Sequence, residues 1–324
     1  MRRATTLASA LMLSAMACPL SAQQAITTTH AGLEGDLAGT LEGTLAQGTP
    51  AVLIVPGSGP TDRDGNSPLG IAAQTYKLLA EALAQHGIAS VRIDKRGMFG
   101  SAAAVPDPND VTVDDYVTDI ESWADTISRE SGGQCVWLLG HSEGGLMGMA
   151  AAAEDPSRYC GLLLVASVAR NLGDVLRAQV AANPANAPLL PEIDTIIAKL
   201  RAGESVPAAG MHPALVPLFA PQVQSFLGSV FRQEPAELIA AHDLPVLILN
   251  GSADLQTPAA DARELANVRP DATLVIVERA NHVLKQVPDD TSAANLATYA
   301  DPDLPLAPGV VDAITQFVAE EGAS

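Results

Sequence analysis

The sequence predicts an α/β fold, a mostly parallel sheet with helices on both faces and an inserted helical cap, on three observations. Short aliphatic runs alternate with stretches of helical period, as in residues 51–55, 72–86 and 90–94. The runs consist of Val, Leu and Ile in a chain with 48% hydrophobic but only 3% aromatic residues, which suits strands buried on both faces. The alternation stops over residues 168–243, where Pro-punctuated helical pieces replace it, and then resumes.

Residues 1–22 read as a signal peptide. Arg2 and Arg3 precede an apolar stretch, and Cys18-Pro-Leu-Ser-Ala22 offers a small-residue cleavage site. The stretch falls short of the roughly 20 residues that span a bilayer. Export to the periplasm or the medium is therefore expected, with no stable membrane insertion of the mature chain. Acylation of Cys18 is the second expectation, because Ala15 stands where a lipoprotein signal usually has Leu.

Residues 26–49 alternate weakly and predict an antiparallel start to the sheet. Strands follow at 51–55, 90–94, 135–140, 161–167, 245–250 and 272–277, and helices at 72–86, 114–130, 142–154, 258–268 and 310–319. Residues 172–182, 192–201 and 222–231 are the helical pieces of the insertion. The domain reading is thus a core of residues 23–167 and 244–324, with 168–243 as a cap. Right-handed crossovers make the sheet mostly parallel.

Cys135 and Cys160 open two of the predicted strands. If those strands are neighbours, parallel pairing brings the cysteines within bridging distance, and an oxidising compartment favours a disulfide. Two free thiols are the other reading, and both stay open at this point.

Acidic residues number 37 against 18 basic ones, a formal net charge of −19. That charge argues against binding nucleic acid or an anionic membrane. With no long acidic block, it reads as a solvated surface.

Gly140-His-Ser-Glu-Gly144 matches G-x-S-x-G at a predicted strand end and helix start. A sharp turn there leaves no room for side chains at Gly140 and Gly144 and lifts Ser142 clear of the sheet. A serine hydroxyl needs a base to take its proton and an acid to orient that base. Asp254, in Asn250-Gly-Ser-Ala-Asp254, and His282, in Ala280-Asn-His282, each follow a predicted strand, in the chain order Ser, Asp, His. Of six histidines, only His282 follows a strand downstream of that acid. Asp261, Asp271, Asp289 and Asp290 compete with Asp254, whose turn directly after a strand favours it.

An oxyanion needs preorganised donors. The backbone N–H of Glu143 is one candidate and that of Ser58, in the loop Val55-Pro-Gly-Ser-Gly-Pro60, is the other. This loop lacks the Lys-Ser/Thr ending of a phosphate-binding loop and the spacing of a dinucleotide fingerprint.

Gly140-His-Ser-Glu-Gly-Gly145, Gly251-Ser-Ala-Asp254 and Asn281-His282 resemble the α/β-hydrolase superfamily over nearly all of the chain beyond the signal segment. Gly57-Ser-Gly-Pro-Thr-Asp-Arg-Asp-Gly-Asn66, Asp94-Lys-Arg-Gly97 with Gly100-Ser101, and Asn281-His-Val-Leu-Lys285 look more narrowly like a group of bacterial serine carboxylesterases. The resemblance implies hydrolysis of short- or medium-chain esters through an acyl-enzyme, a small-molecule ester as partner, a cap over the pocket, and neither cofactor nor metal. An acyltransferase or peptidase would use the same residues, and a non-catalytic exported binding protein is the reading from another class.

Asp62, Arg63 and Asp64 read as an internal ion-pair network that fixes the oxyanion strand rather than as substrate ligands, and Arg92, Asp94 and Arg96 as structural residues that hold the turn beneath the active site. The cap is expected to line an apolar pocket. Within it His212, Phe219 and Phe226 read as packing residues before substrate contacts.

Overall fold

The computed structural model describes residues 23–289 and 291–323. The signal segment, with Cys18, and the competitor Asp290 lie outside them.

Strand β1 (Gln24–Thr28) pairs antiparallel with β2 (Leu37–Glu42), the predicted antiparallel start. There follow β3 (Ala51–Val55), a two-strand hairpin of β4 (Asn66–Ser67) and β5 (Ile71–Ala72), α1 (Thr75–Gln85) and β6 (Ala89–Ile93). Next come α2 (Val113–Glu130), β7 (Val136–His141), α3 (Glu143–Glu154) and β8 (Tyr159–Val165). Helices α4 (Leu172–Ala181), α5 (Leu190–Arg201), α6 (Gln224–Phe231) and α7 (Pro235–Ala240) separate β8 from β9 (Val246–Gly251). The chain then runs through α8 (Ala259–Val268), β10 (Thr273–Val277), α9 (Ser292–Ala297) and α10 (Val310–Glu321).

The main sheet has eight strands in the order β1-β2-β6-β3-β7-β8-β9-β10. From β6 to β10 every pairing is parallel. Because side chains alternate across a strand, the aliphatic runs feed two cores. Leu53, Leu138, Leu162 and Ile248 pack with Ile120 and Trp123 of α2 on one face. Val52, Leu139, Leu163 and Leu247 pack with Leu79 and Leu83 of α1 and with Ile314 and Phe317 of α10 on the other. Burial on both faces explains why these strands read as unbroken apolar runs.

Cys135 and Cys160 form a disulfide with their Cα atoms 5.1 Å apart. The parallel β7–β8 register, in which Val136 faces Tyr159, brings them together. Of the two readings open in the sequence, the bridge is the one present.

Candidate active site

The turn from β7 to α3 sets Ser142 at φ 55° and ψ −122°, a sparsely populated region costing about 1–3 kcal/mol. Its surroundings hold it there. The Ser142 N–H donates to the Val165 carbonyl (3.0 Å), and the Gly145 N–H donates to the Ser142 carbonyl (3.0 Å). The elbow glycines answer to close approach. A Cβ on Gly140 would lie 2.3 Å from the Gly144 oxygen, and one on Gly144 would lie 2.4 Å from the Val55 oxygen. Gly145 is equally confined, with Ser167 Oγ 2.0 Å from where its Cβ would stand.

Asp254 and His282 leave the carboxyl ends of β9 and β10 and meet, with His282 Nδ1 2.8 Å from Asp254 Oδ2. The carboxylate is enclosed by donors. Thr257 Oγ1 donates to Oδ2 (2.9 Å), and the N–H groups of Gln256 (2.8 Å) and Thr257 (2.9 Å) donate to Oδ1. Burial pushes this carboxyl upward, but the His282 hydrogen bond, the imidazole's charge and the two N–H groups outweigh it and leave its pKa below the usual value. An ionised Asp254 assigns the His282 proton to Nδ1 and leaves the Nε2 lone pair open. Nε2 has no hydrogen bond to the described residues.

The loop after β3 lies against the elbow, so that a Cβ on Gly57 would stand 3.2 Å from Ser142 Cβ. Two side chains grip Gly57. Its N–H donates to Tyr76 Oη (3.0 Å), and its carbonyl accepts from Lys95 Nζ (2.7 Å). Tyr76 Oη also bonds His141 Nδ1 (2.9 Å), and His141 Nε2 bonds the His282 carbonyl (2.8 Å). With Nε2–H as donor to that carbonyl, Nδ1 accepts from the tyrosine hydroxyl. Burial, then the neighbouring His282, lowers the His141 pKa to about 3, so the ring is neutral.

The Ser58 N–H has no hydrogen bond among the described residues. Glu143 opens α3, so its N–H lacks an intrahelical partner. The charged residues nearby form internal ion pairs. Arg63 bonds Asp94 through its backbone N–H and through Nε at 3.0 Å, Arg92 pairs with Asp64, and Arg96 with Asp115 and Asp119. Asp62 accepts from the N–H groups of Asp64 and Asn66.

Ser142 and His282 face one cavity of about 70 Å³, shared with Gly57, Ser58, Gln256 and Tyr299. The helical insertion contributes none of its walls, contrary to the expectation that a cap would line it. Phe219 is fully buried in the hydrophobic core, and Phe226 packs edge-on against Tyr116. His212 is exposed. The acidic competitors are engaged elsewhere: Asp261 with Arg170, Asp271 with Arg269, and Asp289 with Thr291.

Sequence reasoning missed Tyr76, Lys95 and Thr257, and it saw His141 only as part of the elbow. Thr257 had a local signal, a hydroxyl three residues beyond a turn aspartate. The others depend on contacts between residues far apart in the chain.

Residues 69–286 match the family model described as serine aminopeptidase, S33. The chain is 26% identical to the monoglyceride lipase of Homo sapiens over 196 residues, 55% of this chain and 61% of that protein. It is 27% identical to esterase EstD of Thermotoga maritima over 242 residues, 72% of this chain and 54% of that protein. The chain thus spans between about half and two thirds of the length of these relatives. Among solved structures, Est1E from Butyrivibrio proteoclasticus superposes with a TM-score of 0.55 at 18% identity, covering 93% of this chain and 99% of that one. A thermophilic esterase from Thermogutta terrifontis gives 0.55 at 19% identity, covering 92% and 99%. At such identities the likeness is one of fold.

Proposed function

We propose that this chain, which belongs to the serine aminopeptidase S33 family of α/β hydrolases, is a serine carboxylic-ester hydrolase. The observation that carries the reading is the buried Asp254–His282 pair opening on the cavity that Ser142 also faces. The esterase and lipase names of its relatives point the same way.

In the proposed reaction His282 Nε2 takes the Ser142 proton as Oγ attacks the ester carbonyl. The Asp254 carboxylate stabilises the imidazolium, and the N–H groups of Ser58 and Glu143 receive the oxyanion. His282 then protonates the departing alcohol, leaving an acyl group on Ser142. Water, activated by the same histidine, releases the acid. The small cavity suits short acyl groups, with α4 to α7 acting as a cap outside the reacting centre. The Cys135–Cys160 bridge supports export to an oxidising compartment.

The test is labelling with a fluorophosphonate and turnover of p-nitrophenyl esters of increasing chain length. Wild type is expected to label once, at Ser142, and to favour short chains. Labelling or turnover retained in Ser142→Ala would overturn the mechanism. The family's name favours a second reading, aminopeptidase action on the same residues. Faster turnover of aminoacyl p-nitroanilides than of esters would select it.

A further inference from the structure

Lys95 is nearly solvent-free, 6% exposed, although burying an ammonium costs several kcal/mol unless the structure uses it. Its Nζ donates to the Gly57 carbonyl at 2.7 Å. That carbonyl belongs to the same peptide unit as the Ser58 N–H. The described chain has no cis bonds, so the unit is planar and trans, and its N–H points away from its C=O. Lys95 therefore fixes one edge of a peptide whose other edge carries the candidate oxyanion donor. The second edge is unpartnered among the described residues, and Ser58 borders the cavity that Ser142 faces.

We propose that Lys95 is a positioning residue that orients and polarises the Gly57–Ser58 peptide, so that the Ser58 N–H stands ready for the oxyanion. The proposal rests on the hydrolase reading above and adds to it the residue that preorganises the oxyanion donor. A carbonyl that accepts from an ammonium draws density from its amide nitrogen and makes the N–H a stronger donor, by about 10–30% per linked bond. The lysine is itself confined. Its Nζ lies 5.9 Å from the centre of the Tyr116 ring, and the turn before it is pinned where Asp94 accepts from the Arg63 and Gly100 N–H groups.

Glu143, whose N–H is the other candidate donor, borders the same small internal void as Lys95 and Tyr116. Burial pushes the Glu143 carboxyl up and the Lys95 amine down, and each charge opposes the other's shift. A purely structural lysine would account for the contact with Gly57. It would not require that the contacted peptide end in a free N–H beside the nucleophile.

The test compares wild type with Lys95→Met, with active sites counted by the end-point of fluorophosphonate labelling. Losing one oxyanion donor altogether costs about 100- to 1000-fold in kcat. Loosening and depolarising one is therefore expected to cost on the order of 10- to 100-fold per labelled site, with KM nearly unchanged. The labelling end-point stays full while its rate falls, and the Ser58 amide ¹⁵N resonance moves upfield. Should Lys95→Met not fold, Lys95→Gln, which lacks the charge, takes its place in the same measurements. Unchanged kcat per labelled site, or an unmoved Ser58 resonance, would overturn the proposal. If wild type neither labels nor turns over, the hydrolase reading fails, and the ¹⁵N comparison still decides whether Lys95 governs this peptide.

Discussion

His141 should make the fold lose stability as pH falls, and His141→Gln should remove that loss. Its pKa drops from 6.5 to about 3 because the ring is buried and next to His282. Between those two values the unfolded chain binds a proton at this position and the native protein does not. Stability then rises with pH across the window. The contribution is complete above pH 6.5 and declines by about 1.4 kcal/mol for each pH unit below it. Between pH 7 and pH 5 the loss works out at about 2 kcal/mol. With His141 only 6% exposed, solvent screening is slight. Urea denaturation at pH 5, 6 and 7 measures it, followed by the fluorescence of Trp123 and Trp137, both buried at 0% and 2% exposure. Titrating groups away from this pair act alike in both proteins, so the difference between the two curves reports on His141 and the His282 ring 4.9 Å from it. Its narrowing by about 2 kcal/mol from pH 7 to pH 5 is the expected outcome. Parallel curves would refute the neutral, proton-excluding His141.

Asp254→Asn is expected to lower kcat by about 10⁴-fold while leaving the protein folded. The N–H groups of Gln256 and Thr257 hold the Oδ1 position for an acceptor, so the new amide turns its NH₂ toward His282 Nδ1 and drives the ring proton onto Nε2. Single-turnover kinetics checks this, and a loss below tenfold would count against Asp254 as the orienting acid. Reduction of the Cys135–Cys160 bridge, whose residues lie 25 apart in the chain, should cost about 3–4 kcal/mol through the freed unfolded chain. For a chain of this size that lowers Tm by about 5 °C, which scanning calorimetry with and without reductant measures.

The sheet and the elbow were legible because both are local in sequence. Aliphatic runs mark buried strands, and Gly140 with Gly144 marks a turn with no room for a Cβ. The order of Ser142, Asp254 and His282 could be read because each follows its own strand. The hairpin of β4 and β5 and the six-residue α9 escaped, being too short to show a period. The state of Cys135 and Cys160 stayed open because it depends on which strands are neighbours and in what register. The facing of the insertion was misread for a related reason. An apolar helix surface fits a pocket wall as well as a core, and here Ile193, Ile196, Leu200 and Phe219 are buried in the hydrophobic core.

The least legible part of the site is also its most connected. From Lys95 the hydrogen bonds run to the Gly57 carbonyl, and from the Gly57 N–H through Tyr76 and His141 to the His282 carbonyl. Each group has one role in that chain. Tyr76 Oη accepts from Gly57 and spends its only proton on His141 Nδ1, while His141 spends its own on His282. Protonating His141 would set two donors face to face at Nδ1, and Tyr76 would have to turn its hydroxyl away from the ring. This link between the loop carrying Ser58 and the loop carrying His282 therefore requires a neutral His141. Burial next to Ser142 enforces that state, because it disfavours the charged ring.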